Sequence, residues 1–181
     1  MHFPRYDEAI GFDLEIGDWV EPDGKGKSSD MLLTATGQFT DYQNYDFNVS
    51  VVFPGDENGM CEFFAKYQQP DYMPDEPLSV LIPPKIAPES GYTNQFNVSI
   101  HNSPDIKPGG LYKSKRNTIF KTRTSFDDDT GKTLANYSWT TGGIYVDISN
   151  RTEGTFKLNF SYYYNPDPHS RSLEPKEITN R

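Results

Sequence analysis

Among 181 residues there is one cysteine, Cys61, so no internal disulfide can form and the fold must hold by burial and hydrogen bonding. No apolar run approaches the ~18 residues that a membrane-spanning helix needs. The first 25 residues are broken by Arg5, Asp7, Glu8, Asp13, Glu15 and Asp18, which leaves no signal-peptide core. Positive charge is scarce as well: 17 Lys and Arg stand against 26 Asp and Glu, a net charge of −9. That balance argues against nucleic acid, whose phosphates need clustered cations, and against anionic lipid surfaces. A helical stripe is also missing, since no segment repeats its apolar residues at the 3.6-residue period.

Alternation with a period of two is present instead. Phe156, Leu158, Phe160, Tyr162 and Tyr164 fall on one side of a ladder, with Lys157, Asn159, Ser161 and Tyr163 on the other. Phe47, Val49, Val51, Phe53 and Phe96, Val98, Ile100 repeat the pattern. Successive strand side chains point to opposite faces of a sheet, so each run predicts a strand with one buried face and one wet face. Apolar residues make up only 34% of the chain, but 12 Phe and 12 Tyr enlarge the core that this fraction can build. A chain of this length buries roughly 70% of its unfolded surface.

Strands are expected near 11–16, 30–40, 45–53, 61–67, 78–82, 93–101, 117–126, 133–139, 144–148 and 155–164. Turn chemistry separates them at Glu21-Pro22-Asp23-Gly24, at Pro54 to Gly59, at Asp127 to Lys132 and at Thr141-Gly142-Gly143. Pro70, Pro74, Pro77, Pro83, Pro84 and Pro88 make 68–92 a loop or edge segment draped across a sheet, because proline lacks the ladder donor. This pattern predicts an all-β fold: an antiparallel β-sandwich, jelly-roll or immunoglobulin-like in plan, with about eight to ten strands. Residues 1–165 are expected to form one domain. The charged stretch 166–181, without alternation, reads as an extended C-terminal arm that is ordered only in part.

Several short motifs stand out: Asp18-Trp19-Val20-x-Pro22-x-Gly24-Lys25-Gly26, Ala87-Pro88-Glu89-x-Gly91-Tyr92, Thr122-Arg123-Thr124, Gly143-Ile144-Tyr145 and Tyr164-Asn165-Pro166-x-Pro168 with Arg171, Leu173 and Glu174. In this order they resemble the motifs of a group of uncharacterised bacterial proteins, from which Trp19, in place of Tyr, and the Asp-rich hairpin tip depart. The resemblance implies an exported or cell-surface chain whose export signal lies outside this sequence. A cytoplasmic home follows if Met1 is the natural start. The resemblance carries over no catalytic or binding residue.

The chemistry is sparse. Asp127 and Asp129, in Asp127-Asp128-Asp129-Thr130-Gly131, are weak candidates for a cation site. An EF-hand would need an acid at its fifth position and Glu at its twelfth, where Gly131 and Ser138 stand. Gly26-Lys27-Ser28 and Gly131-Lys132-Thr133 imitate the end of a P-loop but lack its first glycine and its helix. His2, His101 and His169 have no ligand spacing. No cofactor is expected. Lys113, Lys115, Arg116, Lys121 and Arg123 read as a solvated strand with its lead-in loop, Cys61 as a buried thiol, and Trp19 and Trp139 as core. Asn-x-Ser/Thr triplets occur at Asn48, Asn97, Asn136, Asn150 and Asn159, and Asn48, Asn97 and Asn159 fall on the wet phase of their strands.

Tyrosines beside turns are the stronger candidates for binding. Tyr42, Tyr45, Tyr72 and Tyr92 fall in or next to loops, as does Tyr67, and Tyr163 lies on the wet phase of its strand. Amphipathic rings there can stack on sugars or anchor a peptide. The leading expectation is a non-catalytic surface or secreted module that binds carbohydrate or a protein partner. The alternatives are an assembly subunit pairing through β-edges or the C-terminal arm, and a small hydrolase with an acidic site.

Overall fold

The computed structural model describes residues 1–41, 43–63, 66–67, 81–82, 84–103, 106–109, 117–147 and 157–174, with the backbone alone described at 66–67, 81–82 and 106–109. The described residues form antiparallel sheets and contain no helix. Fourteen strands occur among them: β1 Ala9–Asp13, β2 Asp18–Trp19, β3 Met31–Asp41, β4 Asn44–Val52, β5 Gly59–Phe63, β6 Lys66–Tyr67, β7 Leu81–Ile82, β8 Gln95–Ser103, β9 Ile106–Gly109, β10 Asn117–Asp127, β11 Lys132–Thr140, β12 Tyr145–Asp147, β13 Lys157–Asn159 and β14 Tyr162–Asn165. The count exceeds the expected eight to ten because five of the strands are only two or three residues long.

The larger sheet has the order β2-β1-β3-β4-β8-β9, and the smaller one the order β14-β11-β10-β5. Ile10, Leu33, Val49, Val51, Val98 and Ile100 line one face of the larger sheet, as alternation predicts. They share a core with Phe120 of β10 and with Val146 and Leu158 of the β12–β13 hairpin. Aromatic rings tie this core together: Phe53 lies 5.5 Å from Phe120, and Phe160 lies 6.3 Å from both Phe12 and Phe120. Trp19 is buried between Phe3 and Phe12 and donates its indole N–H to the His2 carbonyl at 2.9 Å.

Alternation fails in the smaller sheet, for a physical reason. In β10 all of Asn117–Thr122 are buried, and in β11 residues 135–140 are buried. A second cluster of Ile119, Ala135, Tyr137, Trp139, Ala87 and Leu173 covers the face turned away from Phe120. That cover comes from two irregular segments. Ala87 donates to the Arg171 carbonyl at 2.8 Å, Leu173 donates to that of Lys85 at 2.9 Å, and the Trp139 indole reaches the Leu173 carbonyl at 2.9 Å. The described part of the proline-rich segment thus lies on a sheet. Residues of the 166–174 stretch lie against it too, with the Pro168 carbonyl accepting from the Ala135 N–H at 3.2 Å.

The long strand expected at 155–164 is two strands within the described residues. It breaks at Phe160–Ser161, and its halves pair differently, β13 with β12 and β14 with β11. The first strand begins earlier than expected, and Leu14 to Gly17 form a turn instead. Phe156, Tyr42, Tyr72 and residues 175–181 lie outside the described residues.

Candidate functional site

The densest polar cluster joins the two sheets and corrects the reading of Lys121 and Arg123 as solvated. A bulge in β10 shifts its register between Thr122 and Ser125, and Arg123 there has φ of 53°. Bulges re-aim side chains, and this one turns the guanidinium towards the β1–β2 turn. Arg123 Nε donates to Asp30 Oδ1 at 2.8 Å, Nη2 donates to Asp13 Oδ1 at 2.8 Å and to Asp30 Oδ2 at 2.9 Å, and Nη1 pairs with Glu15. The Tyr164 ring lies 5.6 Å from the guanidinium carbon. Backbone N–H groups take the remaining carboxylate positions: Lys27 and Ser28 on Asp13 Oδ2 at 2.9 and 3.0 Å, and Leu14 on Asp30 Oδ2 at 2.9 Å.

Burial alone would raise the Asp13 carboxyl, but the N–H groups of Lys27, Ser28 and Ile16, together with Arg123, hold it below the ordinary range. Tyr162 donates to the Leu14 carbonyl at 2.7 Å, and burial, helped by the charges of Asp13 and Asp30, pushes its phenol up to about 12. Each carboxylate oxygen of Asp13 and Asp30 is occupied from within the protein. The cluster therefore works as a strut between β10 and the segments around the β1–β2 turn. Lys121 is likewise held, with its stem buried and Nζ 3.0 Å from Glu57 Oε2.

Among the described residues the candidate tyrosines Tyr45, Tyr92 and Tyr163 lie apart. Tyr163 is 48% exposed on the outward face of β14, stacked 5.1 Å from Trp139. Tyr92 is half-buried; its hydroxyl donates to the Pro88 carbonyl at 3.0 Å, its ring lies 5.9 Å from Lys121 Nζ, and burial drives its phenol far up. Beneath it Cys61 is half-buried rather than fully buried, with a thiol raised by burial and partly offset by the Tyr92 hydroxyl. Tyr45 is half-buried and stacked 6.2 Å from Phe47.

At the hairpin tip, Asp127 accepts from Thr130 Oγ1 at 2.5 Å and from the Asp129 N–H at 3.1 Å, and these bonds, Thr130's first, hold its carboxyl below the ordinary range. Asp129 is exposed beside it. Among the described residues no group of three His, Cys, Asp or Glu is placed to hold a metal ion.

Three clefts among the described residues are open at the surface. Two flank the 54–59 loop, with volumes of about 480 and 270 Å³. The first is rimmed by Glu57, Tyr92 and Asn94, the second by Asn58 and Phe126. The third, of about 440 Å³, lies at the far end of β3, β4 and β8 and is lined by Gln38, Asn44, Tyr45, Asp46, His101 and Asn102. Gln95 and Ser103, at opposite ends of β8, border different clefts, roughly 26 Å apart at 3.3 Å per residue.

The third cleft gathers the most varied chemistry: carboxylate, imidazole, amides and hydroxyls. Register assembles it, with Gln38 opposite Asp46 and Asp46 opposite His101. His101 and Asp46 carry no motif, and the only sequence signal for them is their polar, outward phase. Neither a family model, nor a curated protein, nor a solved structure matches this chain.

Proposed function

We propose that the chain is a non-catalytic binding module that takes a carbohydrate in the cleft at the end of β3, β4 and β8. The observation that supports this is the lining: Asp46, His101, Asn44 and Gln38 offer planar donors and acceptors, with Tyr45 and Asn102 also bordering the cleft. Sugars present hydroxyls that both donate and accept, and amides, carboxylates and imidazoles satisfy them in pairs. Clefts of roughly 300–1,000 Å³ are the usual size for small ligands. On this reading the two main sheets are the layers of a β-sandwich that presents the cleft at one rim, and the module acts outside the cytoplasm or at the cell surface.

The hydrolase reading gains nothing from the Arg123 cluster, where the carboxylates are tied up. An assembly arm also has less support, because residues 166–174 are spent on the chain's own smaller sheet. The test is calorimetric titration of the full chain with a panel of disaccharides. Saturable binding that Asn44→Ala and His101→Ala abolish, at unchanged melting temperature, is expected. If no saccharide binds, or if binding survives both substitutions, this reading fails.

A further inference from the structure

The outward face of β3, β4 and β8 continues from that cleft as an ordered grid. Register places three rows across the strands: Gln38–Asp46–His101, then Thr36–Asn48–Ser99, then Thr34–Ser50–Asn97. Rows follow one another every two residues, about 6.6 Å apart, and neighbours within a row are about 4.8 Å apart. None of the nine is buried. All nine carry hydrogen-bonding groups, all but Gln38 on side chains with at most two rotatable bonds, and Asp46 alone is an acid or base of the Asp, Glu, Lys or Arg kind. The first row lines the cleft, so cleft and grid form one surface.

We infer that this surface carries a neutral polysaccharide chain, with one end seated in the cleft and the following sugars lying along the grid. The inference rests on the carbohydrate reading above and names its ligand class. Three features select that occupant. Hydroxyls and amides each donate and accept, matching a chain of sugar hydroxyls without fixing its direction. Short side chains lose little rotamer freedom when a ligand orders them, unlike Lys, Arg or Glu. The protein's net charge of −9 repels an anionic polysaccharide, and a face with Asp46 as its one formal charge offers a cationic one little to pair with. From the first row to the third the track runs about 13 Å, enough for a short run of sugar rings.

The experiment compares disaccharides and hexasaccharides of neutral series (β-glucan, mannan and xylan) with oligogalacturonides of the same lengths, by titration against the full chain. For the neutral series that binds, the hexasaccharide is expected to bind roughly ten- to hundredfold more tightly than the disaccharide, as two or so added hydrogen bonds would give. Ser99→Lys, or independently Asn97→Lys, removes that gain but leaves disaccharide binding intact. Both positions are exposed, so the variants should fold, and an unchanged melting temperature verifies this. A gain that is absent, that survives both Lys substitutions, or that is as large for oligogalacturonides overturns the inference while the cleft reading stands. Failure of every disaccharide and hexasaccharide overturns both.

Discussion

Replacing Arg123 with Met should be among the most damaging single changes in this protein. The methionine keeps most of the stem but withdraws the guanidinium from Asp13 and Asp30, whose side chains are 2% and 1% exposed. Removing one partner of a buried ion pair leaves an uncompensated charge, which costs about 3–5 kcal/mol in fully buried cases. Arg123 itself is 24% exposed, so the lower end, about 3 kcal/mol, is expected. Against a total stability of roughly 5–15 kcal/mol this is a large fraction. It corresponds to a melting-temperature drop of about 6–12 °C for a chain of this size.

The pH dependence gives a second readout. Asp13 is held below the ordinary carboxyl range in the native state. Its contribution is therefore complete above about pH 4, where the unfolded carboxyl titrates, and is lost as pH falls through the lower native value. Without Arg123 the native value rises, so the gap between wild type and variant narrows on acidification. Urea denaturation at pH 7 and pH 4 measures both effects. The left-handed φ at Arg123 adds a control: Arg123→Gly should exceed Arg123→Ala in stability by about 1 kcal/mol, since glycine carries no Cβ penalty there. A loss under 1 kcal/mol at pH 7, or a gap that widens at pH 4, would refute the strut.

Three further outcomes are expected. Phe120→Ala, fully buried in the core that β10 shares with the larger sheet, should cost about 3–5 kcal/mol by denaturant titration, because neighbouring rings cannot close the cavity. Leu173→Ala should cost about 2–3 kcal/mol and red-shift tryptophan emission as water reaches Trp139, whose indole bonds to the Leu173 carbonyl. Gly37→Ala should lower the melting temperature and weaken saccharide binding together. Gly37 has φ of 146°, and a Cβ there would overlap the carbonyl oxygen of Asp46, a residue of the cleft.

The strand-rich character was legible wherever a strand has one wet face. Phe47, Val49 and Val51, or Val98 and Ile100, alternate with polar residues because one side of their sheet meets water. Tyr163 was legible for the same reason: it breaks the inward phase and stands outward. In β10 and β11 the rule had nothing to report. Lys121, Thr122, Asn136 and Ser138 look like solvent-facing residues in sequence, yet they are buried because other segments cover both sides of their sheet. The cleft was legible only in fragments: Tyr45 by its place near a turn, and Asn48 and Asn97 of the adjoining grid by their wet phase.

Local order follows from the chain itself, since the two-residue period and the Gly, Pro and Asp turns act over a few neighbours at a time. The sequence alone therefore determined antiparallel β-structure and most of the residues that face inward. Arg123 meets partners 93 and 110 positions away, and the cleft joins Gln38 to His101 through the register of an intervening strand. Such meetings depend on how distant segments stack and pair. For that reason the tertiary structure alone decided which charges became struts, which tyrosines became packing and which polar residues share a cleft.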